Sequence, residues 1–325
     1  MSIFVALAIL ELLILAHELG HFIAARAFGV RVETFSIGFG PKVLKFRCCD
    51  TEFAVSLIPL GGYVKTANES PDTPPWQRIV IALAGPLMNL LLAVICFTAV
   101  YLSGVVIPDS KVVKVLPGSP AYEAGIKSGD RILKVNGEPF RWSLFEKAVE
   151  SGKEVKLTIL RDGKGLSVTL KPVFMEKFHR RISGVFLNYR KVSYPLPEAL
   201  KKGLQEYAKL SALFFKTLYK LATGKVSLRS IGGPILSTQE LQRAVHQGIT
   251  ALLLYAGFIS LQLGYFNLLP LPVLDGGAIL LHLAEALRGG RPVPAVARAV
   301  FNLIGLALLA AVVLIGLAND LKRLL

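Results

Sequence analysis

Two histidines four residues apart are the residues in this sequence best suited to act together chemically. His17 and His21 flank Glu18 in an apolar N-terminal stretch that reads His-Glu-Leu-Gly-His. Positions i and i+4 share one face of a helix, so both imidazoles can bind one zinc ion, with Glu18 beside them as the candidate general base. The alternative is structural, with both imidazoles bonding between helices. Ionisable groups in an apolar helix are costly unless they act, which favours the metal site.

A catalytic zinc site needs a third protein ligand and an open position. Asp275 is the preferred candidate, because it is expected to end the third long apolar helix, where Pro270 and Pro272 break the helix and can bend the backbone toward a cavity. Zn²⁺, two neutral imidazoles, Asp275 and ionised Glu18 would sum to about zero charge, which a low-dielectric site favours. The plainer interpretation of Asp275 is an interfacial carboxylate, and His282 stays open as an alternative ligand.

These residues belong to a chain that is too apolar for an ordinary soluble enzyme. Of its 325 residues, 53% are hydrophobic and 18% are charged, and three long stretches contain no Asp, Glu, Lys or Arg. Each is at least about 20 residues, enough to cross a hydrocarbon core roughly 30 Å thick. With the histidine-bearing segment, they predict four transmembrane helices near 2–26, 79–106, 250–273 and 299–318. The first is not expected to be a signal peptide, because no basic residue precedes Arg26 and ionisable residues interrupt it.

The segments between these helices differ in character. After the first helix, stretches rich in β-forming residues and glycine at 32–46 and 52–65 predict hairpins. After the second, the Ser-Pro-Ala, Gly-Asp-Arg-Ile and Val-Asn-Gly sequences between residues 119 and 137 resemble a bacterial PDZ domain, a fold that binds extended or C-terminal peptides. We recognise one copy.

A later segment, 203–223, combines an apolar stripe with a basic one. Its basic stripe is formed by Lys202, Lys209, Lys216 and Lys220. Such a helix is expected to lie on the membrane surface. We therefore divide the chain into an N-terminal membrane part (1–108), a PDZ-like domain (109–190), a surface-helix region (191–248) and a C-terminal membrane part (249–325).

The distribution of charge predicts the orientation. The 31–78 loop is rich in Lys and Arg, whereas the extreme N-terminus has neither, so the loop is expected on the cytoplasmic side. The N-terminus and the PDZ-like domain are then extracytoplasmic. The net charge of +15 suits phospholipid headgroups better than nucleic acid, because the basic residues crowd the edges of the apolar segments. No nucleic-acid partner is expected.

Several motifs together resemble the site-2 protease family of intramembrane zinc metalloproteases. They are His-Glu-Leu-Gly-His at 17–21, Phe-Ser-Ile-Gly-Phe-Gly at 35–40, Ile-Pro-Leu-Gly-Gly-Tyr-Val-Lys at 58–65, Gly-Pro-Leu-Met-Asn at 85–89, Ile-Gly-Gly-Pro-Ile at 231–235 and the sequence of 267–277. The resemblance implies Zn²⁺ as cofactor, His17, His21 and Asp275 as its ligands, and Glu18 as the base. It also implies a set of substrate-binding or supporting residues, namely Asn267, Pro270, Pro272, Gly61, Gly62 and Asn89.

The resemblance implies a polytopic α-helical membrane protein with four transmembrane helices, a membrane-re-entrant β-hairpin region at 35–65 and one inserted PDZ-like α+β domain. The implied location is the bacterial inner membrane. The implied activity is cleavage of a transmembrane segment of a single-span protein, an anti-sigma factor or a remnant signal peptide, after a first cleavage by another protease. Peptide C-termini are candidate ligands of the PDZ-like domain.

Glu11 and two other classes of protein complete the hypotheses. Glu11 lies seven residues before Glu18 and shares its helix face, so it either contacts the water path to the site or faces outward near the opposite interface. A metal transporter should offer ligands at several depths, whereas here they cluster. A membrane scaffold that presents a PDZ domain would not need Glu18 between the histidines.

Overall fold

The computed structural model describes residues 2–66, 73–176, 180–227 and 232–324. In chain order the elements are α1 (Ser2–Ala27), β1 (Val32–Cys48), β2 (Thr51–Thr66), α2 (Pro75–Ser103), β3 (Val105–Val115), α3 (Pro120–Glu123), β4 (Arg131–Val135), β5 (Glu138–Pro139), α4 (Trp142–Ser151), β6 (Val155–Arg161), β7 (Lys164–Leu170), β8 (Val173–Met175), β9 (Arg180–Ile182), β10 (Val185–Val192), α5 (Leu196–Ala222), α6 (Pro234–Gln247), α7 (Ile249–Asn267), α8 (Asp275–Leu287) and α9 (Ala295–Leu324). They form two compact units: Gly104–Ser193, and the remainder, made of Met1–Ser103 with Tyr194–Leu325.

Four helices of the larger unit are long and apolar enough to cross a membrane, among the residues described. They are Phe4–Ala27, Pro75–Ser103, Ile249–Asn267 and Ala295–Arg323. This agrees with the predicted number and approximate positions. The third ends six residues before the predicted limit of 273, because the chain turns at Leu268 ahead of the two prolines.

Helices α1 and α7 both run antiparallel to α2. Ser103, at the end of α2, lies 3.3 Å from Thr250, at the start of α7, between their hydroxyl oxygens. Further along, the hydroxyl of Ser260 donates to the backbone carbonyl of Asn89 (2.8 Å). Because His21 of α1 contacts Ile81 near the start of α2, α1 and α7 point in the same direction.

Helix α5 covers the segment predicted to lie on the membrane surface. A Cβ at Gly203 would meet the backbone nitrogen of Thr98 in α2 at 2.8 Å. Eleven residues later, the ring of Phe214 stacks on Tyr265 of α7, with 5.2 Å between centroids. The helix therefore packs against α2 through Gly203 and against the C-terminal end of α7 through Phe214. Its position at the membrane surface stays a prediction.

Strands β1 and β2 are long, and they pair with each other along three stretches. Residues 42–48 pair with 51–56 across a turn in which Cys49 and Asp50 both have positive φ. Residues 34–37 of β1 lie between 52–55 and 62–65 of β2. The last stretch of β2, residues 62–66, is consequently an edge strand, with no strand on its other side among the described residues.

The Gly104–Ser193 unit is built on a sheet with strand order β10-β3-β4-β6-β7, to which β5 adds beside β4. Alternation along β6 turns Val155, Leu157 and Ile159 inward, where Phe145 of α4 joins the core. Strands β4 and β5 are joined at Asn136-Gly137, both with positive φ, as the Asn-Gly sequence predicts. The predicted domain limits of 109–190 fall within this unit.

Candidate metal centre

The two histidines of α1 converge as their spacing predicts. Nε2 of His17 lies 3.2 Å from Nε2 of His21. Both face α2, which approaches closely because two glycines meet at the crossing. A Cβ at Gly20 would lie 2.4 Å from the carbonyl oxygen of Ala84, and a Cβ at Gly85 would lie 2.3 Å from Nε2 of His21. The small residues thus let the imidazoles pack against the α2 backbone.

Asp275 completes the cluster from the far end of the sequence. Its Oδ2 lies 3.0 Å from Nε2 of His17, and its Oδ1 lies 3.4 Å from Nε2 of His21. The expectation that Asp275 ends the third spanning helix is wrong in detail, since α7 ends at Asn267 and Asp275 begins α8. The turn between them is tight and includes Val273 at φ +75°, a rare conformation for a β-branched residue.

The geometry of these donors fits zinc. The donor atoms of His17, His21 and Asp275 all lie within 4.8 Å of one another. In tetrahedral coordination at 2.0–2.1 Å, two ligand atoms lie about 3.3 Å apart, close to the three separations above. Two imidazoles and one carboxylate leave a fourth position open, which is the donor set of catalytic zinc sites.

The other nitrogen of each imidazole has a partner that orients the ring. Nδ1 of His21 lies 2.8 Å from the carbonyl oxygen of Ile81. Nδ1 of His17 lies 3.3 Å from the side-chain amide of Asn89, whose buried Oδ1 has no hydrogen-bond partner among the described residues. With that amide turned over, Oδ1 would accept from Nδ1–H of His17. Both rings would then direct the Nε2 lone pair toward the metal position that they share with Asp275.

Glu18 lies next to the edge strand of the hairpin. A Cβ at Gly62 would be 2.8 Å from the carbonyl oxygen of Ser36 and 3.4 Å from Cγ of Glu18, so only glycine fits without displacement. Tyr63, Val64 and Thr66 of the same strand line a cavity of about 430 Å³ that also contains Glu18, both histidines and Asp275. The edge strand and the polar cluster thus face the same space.

The remaining predicted residues divide into two groups. Asn267 and Asn89 line the cavity, and Asn89 contacts His17. Pro270 and Pro272 do not line it, and Pro272 instead packs against Gly305 of α9. Gly61 does not line the cavity either, and its backbone N–H donates to Glu11 (3.0 Å). This contact differs from both sequence-based hypotheses for Glu11.

A buried ionic cluster borders the same cavity and escaped the sequence analysis. Glu285 is fully buried and accepts from Arg78 (3.0 Å) and Arg298 (2.8 Å). His282 lies 3.2 Å from the same carboxylate through Nδ1. His282 lines the cavity, but it does not belong to the group of converging donors formed by His17, His21 and Asp275. This cluster joins one acidic and three basic residues, and Arg78 and Arg298 are far from Glu285 in the chain. No local sequence pattern therefore indicates it.

Comparison with known proteins shows which family the chain is similar to. Residues 5–312 match the profile of Peptidase family M50. A protein of Clostridium perfringens named "Putative zinc metalloprotease" is 34% identical over 338 residues, covering 99% of this chain and 98% of that protein. The regulator of sigma E protease of Haemophilus influenzae is 29% identical over 439 residues, covering 99% and 98%.

One solved structure concerns a smaller part of the molecule. The PDZ domain of the SdrC-like protein from Listeria monocytogenes is 24% identical, with a TM-score of 0.22, and covers 25% of this chain and 88% of that domain.

Proposed function

Because the chain belongs to peptidase family M50, we propose that it is an intramembrane zinc metalloprotease that cleaves a transmembrane segment of a membrane-anchored protein. The observation that carries this proposal is the convergence of His17, His21 and Asp275 beside Glu18, on and against a helix that can span a membrane. A metal transporter would need metal-binding side chains at several depths in the membrane. The donor atoms of His17, His21 and Asp275 instead lie together at one depth. A zinc ion bound there would act as a Lewis acid toward the scissile carbonyl.

The protein's own residues supply the rest of the chemistry. The carboxylate of Glu18 receives the proton of the attacking water and delivers it to the leaving amine. Ile81 and Asn89 hold the rings of His21 and His17 so that Nε2 faces the metal position. The role of Ile81 and Asn89 is to orient the ligands. Asn89 would therefore affect substrate cleavage only indirectly, through His17.

The edge strand at 62–66 offers a way to hold the substrate. A helical segment hides its carbonyls in internal hydrogen bonds, so it must unwind before attack. The backbone of a sheet edge can bind an extended chain by strand addition. Tyr63 and Val64 of this strand line the cavity that contains Glu18, so a captured segment would lie near the base. In this arrangement the hairpin region is a membrane-re-entrant element. Asn267, where α7 ends, would face the bound substrate.

The Gly104–Ser193 unit is proposed to control access as a PDZ-like domain. It would stand outside the cytoplasm, with the 31–78 loop on the cytoplasmic side of a bacterial inner membrane. By binding a new peptide C-terminus or excluding bulky ectodomains, it would admit only single-span proteins already trimmed by another protease. An anti-sigma factor or a remnant signal peptide has this form.

The test is cleavage of a single-span model substrate by purified protein in detergent, comparing wild type with Glu18→Gln at matched zinc content. We expect cleavage by wild type and none by the variant, because glutamine cannot accept the proton. Glu240→Gln, a change to an α6 carboxylate paired with Arg243, is the control and should leave the rate unchanged. Equal rates for wild type and Glu18→Gln would contradict the role of Glu18. Absence of cleavage by zinc-loaded wild type would contradict the proposed protease activity.

A further inference from the structure

Glu11 is the one ionisable side chain in the part of α1 that precedes His17. It lies in α1 seven residues before Glu18, so the two side chains share a face about two turns apart. An ionisable group inside a spanning segment is costly and is retained where it has a partner. Oε2 of Glu11 accepts a hydrogen bond from the backbone N–H of Gly61, at 3.0 Å.

Gly61 lies where β2 departs from its regular pairing. Ile58 pairs with Phe39 and Gly62 pairs with Ile37, so residues 59–61 form a bulge opposite Gly38. Gly61 has φ +109°, and a Cβ there would collide with the ring of Phe39. Because a bulge leaves backbone groups outside the ladder, the carboxylate of Glu11 supplies the acceptor that the sheet does not.

The bulge leads directly into the edge strand. One residue after Gly61, Gly62 packs on Cγ of Glu18. Helix α1 therefore contacts this part of β2 twice, through Glu11 at the bulge and through Glu18 at the start of the edge strand. The two contacts fix the position of residues 62–66 along the axis of α1. They therefore also fix the position of the edge strand relative to the metal ligands on that helix.

We propose that Glu11 is a positioning residue whose hydrogen bond to Gly61 holds the edge strand at the height at which substrate meets Glu18. This inference rests on the proposed function for its catalytic consequence, but the structural part stands on the contact itself. What matters is an acceptor at this position, not a charge. Glutamine keeps a carbonyl acceptor of the same length, whereas leucine keeps the size and removes the acceptor.

The experiment compares wild type, Glu11→Gln and Glu11→Leu, each zinc-loaded and in detergent, by hydrogen–deuterium exchange of peptides that cover 57–64. We expect the leucine variant to exchange at least about tenfold faster in this segment, because the hydrogen bond from the backbone N–H of Gly61 is lost. The glutamine variant should stay close to wild type. Leucine improves the apolarity of α1, so folding should survive, and the control Leu12→Ala changes an exposed neighbour on the same helix.

Cleavage of the model substrate provides the second readout. Glu11→Leu should raise KM about tenfold or more with zinc content unchanged, and Glu11→Gln should restore it. Wild-type exchange in the leucine variant, or equal effects of leucine and glutamine, would overturn the proposal. Faster exchange in the leucine variant alone, with no cleavage by wild type, would support the positioning role of Glu11 and contradict the proposed protease function.

Discussion

Nδ1 of His21 lies 2.8 Å from the backbone carbonyl oxygen of Ile81, one helix away. A carbonyl oxygen can only accept, so Nδ1 carries a proton, and in the neutral imidazole Nε2 then keeps its lone pair for a metal. The contact ties the orientation of a proposed ligand to the packing of α1 on α2. The site is therefore sensitive to changes in helix packing as well as to loss of its ligands.

Gly85→Ala should damage the metal centre without removing a ligand. The new Cβ would lie 2.3 Å from Nε2 of His21, which must move or force α2 away. We expect zinc affinity to fall by at least about tenfold, as when a partner of a ligating histidine is lost. Metal analysis after dialysis against a chelator measures this, with Leu87→Ala on the exposed face of α2 as the control. Unchanged affinity would contradict the close approach.

Asp275→Ala and His282→Ala decide between the two candidates for the third ligand. Asp275 contacts both imidazoles, whereas His282 contacts Glu285. We expect zinc affinity to drop by more than about tenfold in the aspartate variant and to stay near wild type in the histidine variant. Zinc titration against a competing chelator distinguishes them. The opposite order of affinities would assign the ligand to His282.

Asp130 should make the stability of the Gly104–Ser193 unit depend on pH. Burial favours the neutral acid, but the hydrogen bonds from Arg161 and from the backbone N–H of Lys127 outweigh it and lower the pKa of the Asp130 carboxyl. A lowered folded-state pKa adds stability above the unfolded value near 3.8, and this is lost as the pH falls through the folded value.

Thermal unfolding of the Gly104–Ser193 unit, followed by circular dichroism from pH 7 to pH 3, tests whether its stability depends on pH through Asp130. Asp130→Ala should reduce the free energy of unfolding by about 2 kcal/mol at pH 7 and flatten its decline in acid. Arg141→Ala, which breaks an exposed ion pair with Glu138, should have little effect. An equally steep acid decline in the Asp130 variant would show that other carboxylates are responsible.

Asp320 should stabilise the membrane unit by joining α9 to the start of α6. Its buried carboxylate accepts from the backbone N–H groups of Gly233 (2.9 Å), Ile235 (3.0 Å) and Leu236 (3.1 Å). Removing it in Asp320→Ala leaves these donors unpaired, at a cost of about 2 kcal/mol in the free energy of unfolding. Thermal aggregation in detergent should begin at a lower temperature than for wild type or for exposed Lys322→Ala. Identical onset temperatures would contradict this role.

Local patterns carried much of the architecture. The convergence of His17 and His21 follows from the pitch of one helix, and the number of apolar stretches predicted the four candidate spans. The turn at Asn136-Gly137 has the conformation that its sequence favours. Each of these features depends on residues close together in the chain, so periodicity and turn chemistry were sufficient to predict them.

Contacts between distant segments could not be predicted in the same way. Asp275 was proposed as a ligand, but its place at the start of α8 depends on the turn after α7, and Pro272 packs against α9 instead of lining the cavity. The partner of Glu11 is a backbone N–H in a bulge, which no side-chain pattern reveals.

The sequence by itself determined which groups can share one helix face and which segments are apolar enough to leave water, because both depend on local geometry and transfer free energy. Only the tertiary structure decided that Gly85 admits the imidazoles to α2, that Gly62 rests on Glu18 and that Asp275 meets His17. The reason is physical: these contacts arise from close packing and backbone hydrogen bonding between elements, whose geometry no single segment contains.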